Sequence, residues 1–113
     1  MIKVRMAKTE DAGAIIVHGH APRVEGAEED GNLACAAASY IAQVTAAALR
    51  EIAGADVRTT GLNANGGVGT ISWTGGGQEA ETIFKEFVLG VGWLAESYPG
   101  SIGIDTRPAR VVR

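Results

Sequence analysis

The sequence predicts an α+β fold in which two helices pack on one face of a small mixed sheet. Short segments of alternating apolar and polar residues are separated by two long stretches of helical periodicity, in the order ββαββαβ. The chain has 113 residues, which is enough to bury a single hydrophobic core without disulfides or metals, so we expect one domain over residues 1–113. One layer of helices on one layer of strands is the simplest arrangement that buries the apolar side of each element.

The N-terminal segment predicts a β-hairpin followed by an exposed loop. Ile2, Val4 and Met6 alternate with two basic residues, which is typical of a half-buried strand. After the turn TEDAG, the apolar segment Ala14–His20 predicts the second strand. Residues 21–31 have no periodicity and contain a proline, two glycines and four acidic residues, so we expect them to form a surface loop.

An alanine-rich helix is expected next. Asn32 can cap its N-terminus, since the side-chain oxygen accepts a hydrogen bond from a free N–H of the first turn. The segment Ala34–Ala53 contains no glycine or proline, and Gly54 follows as a stop signal. Apolar residues at three- and four-residue spacing predict the buried face of this helix, which would contain Tyr40, Ile41, Val44, Ala48 and Ile52.

The C-terminal half predicts a second hairpin, a second helix and a final strand. The segments DVRTTGLNA and GVGTISWTG would pair around the turn NANGG, and SIGID would form the last strand. Neither NANGGVG nor TGGGQ matches a phosphate-binding loop, so these glycines indicate a hairpin turn and a helix entry. The second helix would end at Pro99–Gly100 and bury Ile83, Phe87, Val91 and Leu94.

Two glycines interrupt this second helix. Gly90 and Gly92 each lower helix stability by about 1 kcal/mol relative to alanine. A glycine inside a helix is explained when another part of the protein, or another protein, approaches it closely. We therefore expect another helix or a partner subunit to pack there, and the second possibility would make the protein a dimer.

Composition and charge exclude several function classes. The formal net charge is −3 at pH 7, which argues against general binding to nucleic acid or to anionic membranes. A single cysteine cannot form an internal disulfide, and neither a signal peptide nor a membrane span is recognisable, so we expect a cytoplasmic protein. His18, His20 and Cys35 could nominally bind a metal, but the usual zinc-ligand spacings are absent, so we expect no metal or other cofactor.

Cys35 allows two interpretations. A free cysteine among alanines is commonly a small buried hydrophobic residue. If Asn32 caps the helix, however, Cys35 lies in the first turn, where free N–H groups and the helix dipole stabilise a thiolate and an oxyanion. His20 ends the preceding strand, and the loop can bring it beside the thiol as a base, whereas we interpret His18 as an ordinary strand residue. Composition alone leaves both interpretations of Cys35 open.

Several short motifs, in this order, resemble those of the bacterial ribosomal-processing cysteine proteases. That family carries Gly-His-Ala, a loop, and then a Cys-Ala-Ala/Ser-x-Ser motif that opens a helix. The matching segments here are Gly19–Ala21 and Cys35–Ser39. The segment FKEFVLGVGWLAESYPGSIGI is similar to the second helix and last strand of the family. The resemblance covers nearly the whole chain, and its element order agrees with the order predicted above.

The resemblance implies a small homodimeric endopeptidase with a Cys–His dyad, which maps onto Cys35 and His20. Its substrate would be the precursor of a large-subunit ribosomal protein, cut after aromatic residues and before a small residue followed by basic ones. The family usually carries an aspartate three residues before the cysteine, where this chain has Asn32, and Asp30 is close enough in sequence to substitute. The alternative is a non-catalytic or divergent, phage-type relative that binds or cleaves a different protein.

The acidic loop between the two dyad residues is a candidate substrate clamp. Its four acidic residues, the first of which is Glu25, would attract a basic segment of the substrate. The alternative is a solvated charged loop, which is the commoner fate of such runs. The candidate substrate-binding residues are Glu28, Glu29, Asp30, Asn32 and Ser39.

Overall fold

The computed structural model describes residues 1–19, 28–62, 68–105 and 109, with residues 28–32 and 68 described by their backbone alone. The described residues form five strands and two helices in the predicted order ββαββαβ. The α+β prediction is therefore confirmed. The elements are β1 (Ile2–Lys8), β2 (Ala12–His18), α1 (Glu28–Glu51), β3 (Asp56–Thr60), β4 (Val68–Thr74), α2 (Gly77–Ser97) and β5 (Ile102–Ile104).

The strands form one mixed sheet with the order β3-β4-β2-β1-β5. β1 pairs with β5 in parallel, and every other neighbouring pair is antiparallel. β2 is central, with Val17 opposite Val4 of β1 and Ile15 opposite Ile71 of β4. These residues face the helices, because they share one apolar cluster with side chains of both helices. Successive side chains of a strand alternate between faces, so His18 lies on the opposite face of the sheet.

α1 packs on the sheet through small side chains. Its buried residues are Ala34, Ala38, Ala42, Thr45, Ala46 and Leu49. The buried face predicted from the sequence is wrong for Tyr40, Val44 and Ile52, which are 72%, 46% and 65% exposed, whereas Ile41 of the same set packs against the core. The physical reason is that large side chains from other elements, including Trp73 of β4 and Phe87 of α2, already fill the space between the layers. Only small side chains of α1 fit beside them.

α2 supplies large side chains to this core. Phe87 and Val91 are fully buried, and Ile83 and Leu94 pack against the same cluster. The buried face predicted for the second helix is therefore confirmed. Large side chains on α2 and small ones on α1 fill the layer between the helices and the sheet together.

The two glycines of α2 differ in their surroundings. Gly90 packs against Ile41 of α1, whose Cδ1 atom occupies the space that a Cβ at position 90 would need. The predicted close approach of another helix is therefore confirmed for Gly90. Around Gly92, apart from its chain neighbours and the backbone of its own helix, no atom of the described residues lies within 4 Å of the position that a Cβ would take. Close packing inside the chain thus explains why position 90 is a glycine, but it does not explain Gly92.

The segment Leu33–Glu51 of α1 would pass as a membrane span by its length and composition, contrary to the expectation from the sequence. This is weak evidence for a membrane segment, because the core helix of a globular protein passes the same test. A third of the segment (33%) is buried inside the protein. The alanine face that packs on the sheet accounts for its apolar composition.

Candidate active site

Cys35 lies inside α1 and not in its first turn. The helix begins at Glu28, so Cys35 is its eighth residue. The predicted start at Asn32 is wrong, because the helix continues back through Gly31 to a run of three acidic residues. Acidic residues are favourable in the first turn of a helix, where the helix dipole is positive. The acidic run therefore lets the helix begin at Glu28, before Gly31 and Asn32, which in the sequence indicated a later start.

This position removes the electrostatic stabilisation that the sequence led us to expect for the thiol. The N–H groups without an intrahelical acceptor belong to the first turn, which begins at Glu28. The N–H of Cys35 is bonded within the helix, and the effect of the helix dipole falls off within the first turn. The start of the helix therefore offers Cys35 neither a dipole nor a free oxyanion donor.

Cys35 carries a free thiol that is half-buried and packs against the hydrophobic core. Ser39 and Gln43 follow at four-residue spacing on the same side of α1, and both are exposed. Gln43 donates a hydrogen bond from Nε2 to the carbonyl oxygen of Leu62, at 3.3 Å. We call the three residues 35, 39 and 43 the polar flank of α1. This flank borders the chain that follows β3.

Sequence reasoning missed Gln43 and its contact with Leu62. The available signal was the regular spacing of Cys35, Ser39 and Gln43 in a helix that otherwise consists largely of alanine. Polar side chains at every fourth position share one side of a helix, so the spacing indicates the side on which the thiol lies. It does not indicate what that side faces.

His20 lies outside the described residues, so its placement beside Cys35 stays a prediction. β2 ends at His18, two residues before the predicted end of the strand. Gly19 then has a φ of 94°, a backbone conformation that favours glycine. A Cβ at this position would also overlap the carbonyl oxygen of Met1. Gly19 thus ends the strand directly before the histidine of the predicted dyad.

His18 is the other histidine, and its side chain has an unusual environment. The residue lies opposite Lys3 of β1 and Val68 of β4. Its Nε2 atom is buried and has no hydrogen-bond partner among the described residues. The predicted strand position is confirmed, but the side chain is not an ordinary one, because buried polar atoms are nearly always paired.

Most of the candidate substrate-binding residues lie at the start of α1. The loop predicted over residues 21–31 is wrong for its last four residues, which are helical. Residues 21–27 lie outside the described residues, and so do the side chains at the start of the helix. Their role in binding therefore stays a prediction. The candidates in this part of α1 are Glu28, Glu29, Asp30 and Asn32.

No metal site is recognisable in the described part of the chain. Among these residues, no group of three or more His, Cys, Asp and Glu side chains is arranged to hold a metal ion. His20, which is one of the three nominal ligands in the sequence, lies outside the described residues.

The fold is shared with solved structures of bacterial proteins. The ribosomal processing protease Prp from S. aureus in complex with a substrate peptide has a TM-score of 0.75 and 20% identity, over 93% of this chain and 98% of that chain. The same protease with a covalently linked product peptide has a TM-score of 0.74 and 20% identity, over the same shares. SMU.848 from Streptococcus mutans has a TM-score of 0.70 and 21% identity, over 93% and 96%. At these identities, the similarity shows a common fold.

The sequence itself defines the family. The family described as cysteine protease Prp matches residues 1–103, which include both motifs around Gly19 and Cys35. The chain belongs to this family of cysteine proteases. No curated protein matches the chain significantly in sequence. The resemblance inferred from the two motifs is therefore confirmed at the level of the family.

Gly19→Ala should destabilise the protein. A φ of 94° is unfavourable for alanine, and the new Cβ would overlap the Met1 carbonyl oxygen. We expect the free energy of unfolding, measured by urea denaturation, to fall by about 2–4 kcal/mol. Gly54→Ala is the matched control, because Gly54 has a φ of 66° but open space at its Cβ position. The control should lose only about 1–2 kcal/mol. Equal losses in both variants would contradict a close Met1 contact.

Proposed function

We propose that this chain is a cysteine endopeptidase that removes an N-terminal extension from the precursor of a large-subunit ribosomal protein in the cytoplasm. The observation that carries the proposal is the family match over residues 1–103. The fold supports it, since the chain shares its architecture with a ribosomal processing protease in complex with a substrate peptide. In this proposal Cys35 is the nucleophile and His20 is the base.

Cleavage by a Cys–His pair proceeds through a covalent intermediate. The imidazole of His20 takes the proton of the Cys35 thiol, and Sγ attacks the scissile carbonyl carbon. The C–N bond then breaks, the proton passes from the imidazolium to the leaving amine, and a thioester remains on Sγ. His20 next deprotonates a water molecule, which hydrolyses the thioester and regenerates the thiol. Water is the only reactant consumed besides the peptide.

The position of Cys35 makes the histidine the main source of activation. Because Cys35 is the eighth residue of α1, the helix dipole contributes little to the stability of its thiolate. An ion pair with the imidazolium of His20 is the remaining way to stabilise it. The oxyanion also needs a donor from outside the first turn. The exposed Ser39 hydroxyl on the polar flank is one such donor.

Cys35→Ala should abolish cleavage and preserve the fold. The thiol is half-buried, so its replacement by a hydrogen atom leaves only a small cavity. We expect mass spectrometry to detect no cleavage of an extended precursor, and the melting temperature to stay near that of the parent. Ser97→Ala, at the exposed end of α2, is the control and should cleave normally. Cleavage by Cys35→Ala at the parental rate would exclude Cys35 as nucleophile. An inactive parent would favour the non-catalytic alternative.

His20 and His18 should differ in their effect on the thiol. If His20 activates Cys35, the rate of alkylation by iodoacetamide should follow the titration of an imidazole, near pH 6–7. His20→Ala should change this pH profile to that of an ordinary thiol. His18→Ala should leave it unchanged, because β2 places His18 on the sheet face opposite to the helices. The assignment fails if both substitutions change the profile equally.

Glu28 and Glu29 are proposed to attract the basic segment of the substrate. Charge attraction between exposed groups is screened over about 8–10 Å at physiological ionic strength. The variant Glu28→Gln/Glu29→Gln should therefore raise the Michaelis constant and flatten its dependence on salt, with turnover changed less.

The control for this double variant is Glu79→Gln in the first turn of α2. An acidic residue in a first turn also stabilises its helix, by about 0.3–1 kcal/mol. The control should lose this stabilisation and keep the parental Michaelis constant. If the double variant loses stability but keeps the parental Michaelis constant, the acidic residues at the start of α1 stabilise the helix and do not bind the substrate.

We also propose that the chain forms a homodimer through the outer face of its two helices. Four exposed apolar residues lie within one turn of the contact between Ile41 and Gly90. α1 carries no charged residue from Leu33 to Leu49. A cluster of exposed apolar side chains is typical of a protein–protein interface. The four residues are Tyr40, Val44, Leu89 and Trp93, which are 72%, 46%, 73% and 77% exposed.

Trp93→Glu should convert the dimer to a monomer. A carboxylate in the centre of an apolar interface loses its hydration without gaining a partner. We expect sedimentation velocity to show a dimer for the parent and a monomer for this variant. Ile104→Glu is the control, since Ile104 is also apolar and 45% exposed but lies on the edge strand β5. A monomeric parent, or a dimer that survives Trp93→Glu, would contradict the proposed interface.

A further inference from the structure

The hydrogen bond from Gln43 to Leu62 connects the helix that carries Cys35 with the edge of the sheet. Nε2 of Gln43 donates to the carbonyl oxygen of Leu62, at 3.3 Å. Leu62 follows β3, which is an edge strand of the sheet. The bond therefore fixes the main chain at the end of β3 relative to the helix that carries the proposed nucleophile.

The polar flank lies on the side of α1 that α2 does not cover. α1 packs over β3 and β4, whereas α2 packs on β5 at the other edge of the sheet. Ile41 of α1 contacts Gly90 of α2. Because successive residues of a helix are rotated by about 100°, the flank and Ile41 lie on opposite sides of the buried face of α1. The thiol of Cys35 is thus on the side above the edge strand β3, from which a peptide can reach it without displacing α2.

A second hydrogen bond joins α1 to the same strand. Arg50 donates from Nη2 to the carbonyl oxygen of Val57, at 3.4 Å. α1 and β3 therefore run in opposite directions, since the earlier residue of α1, Gln43, contacts the later residue of the strand region, Leu62. Of the two contacts, the one made by Gln43 lies nearer to Cys35 along the helix.

Leu62 is held by two different contacts. Its side chain is partly buried and packs against the core. The fit is close, because a Cβ at Gly69 of β4 would come within 3.0 Å of the Cδ2 atom of Leu62. Its carbonyl oxygen is held separately by Gln43. Loss of the hydrogen bond would leave the side chain anchored in the core and would free the main chain to turn.

The distance along α1 sets how much of a substrate would reach this contact. Gln43 follows Cys35 by eight residues, which corresponds to about 12 Å along the helix axis. An extended peptide advances by about 3.3 Å per residue. A peptide that lies along the flank with its scissile bond at Cys35 therefore needs about four residues to reach Gln43 and Leu62. A peptide with two residues on each side of the scissile bond is too short.

We propose that Gln43 is a positioning residue that holds the main chain at Leu62 as the far end of the substrate site, about four residues from the scissile bond. This inference rests on the proposed endopeptidase function with Cys35 as the nucleophile. Without the hydrogen bond, a smaller fraction of the chains has Leu62 in the binding-competent position, and the apparent affinity falls by the same factor. The turnover number changes little, because the contact is the same in the bound substrate and in the transition state.

The test measures Gln43→Met with a long and a short peptide. Methionine has a similar length and helix propensity but no N–H donor. We expect the Michaelis constant to rise roughly 2- to 10-fold for a peptide with five residues on each side of the scissile bond. It should stay at the parental value for a peptide with two residues on each side. The turnover number and the melting temperature should stay near those of the parent.

Two further variants test whether Gln43 acts through Leu62. Gly69→Ala keeps the glutamine but presses a methyl group against the Leu62 side chain, so it should also raise the Michaelis constant for the long peptide. Gln78→Met is the matched control, because Gln78 is an exposed glutamine in the first turn of α2. The control should keep the parental values for both peptides. An unchanged Michaelis constant in Gly69→Ala would contradict a role through Leu62.

Binding to an inactive chain separates this inference from the proposed function. The probe is the long peptide labelled with fluorescein, with an aromatic residue before and a small residue after the scissile bond. Cys35→Ala should bind it more tightly than Cys35→Ala/Gln43→Met. Equal binding, no binding by either chain, or an equal rise of the Michaelis constant for both peptides would overturn the inference. A lower melting temperature of Gln43→Met with unchanged binding would also overturn it, because the bond would then serve only the fold. Failure of the parent to cleave would contradict the proposed function, and the binding comparison would still decide the role of Gln43.

Discussion

The close approach of α1 to the sheet is the constraint on which the rest of the structure depends. The helix presents four buried alanines to the sheet, Ala34, Ala38, Ala42 and Ala46. Their small size lets Trp73 and Phe87 fill the space between the layers, and larger side chains on α1 would push the layers apart. With this space filled, the large apolar side chains of α1, such as Tyr40, remain on the outer surface. The exposed apolar residues on the outer face of α1 are thus a consequence of how the core is packed.

The sequence predicted the buried face of a helix correctly where the large apolar side chains at helical spacing are also the ones that fill the core. In α2, the large residues at helical spacing also fill the core, so periodicity identifies the face around Phe87. In α1, alanine is too weakly hydrophobic to mark a face, and the spacing of the large residues indicated the wrong side. The start of α1 was missed for an energetic reason. One glycine disfavours a helix by about 1 kcal/mol, which several acidic residues in the first turn can offset.

The family was predictable from the sequence, whereas the geometry around Cys35 was not. The short motifs around Gly19 and Cys35 indicate the family, because they are contained in local segments of the chain, and the match over residues 1–103 confirms that family. The place of Cys35 within α1 depends on where the helix begins, and this error changed the expected source of thiolate stabilisation. The unpaired Nε2 atom of His18 depends on three neighbouring strands. No local pattern contains that information.

The end of β2 is held by the close packing of its backbone. Gly19 has a left-handed φ and packs against the Met1 carbonyl oxygen, and Nε2 of His18 has no hydrogen-bond partner among the described residues. Gly19 directly precedes the proposed base, His20, so the end of the strand is defined by a conformation that favours glycine. β2 belongs to the centre of the sheet, and the alanines hold α1 against that same sheet. The same core therefore holds both the end of β2 at His18 and the helix that carries Cys35.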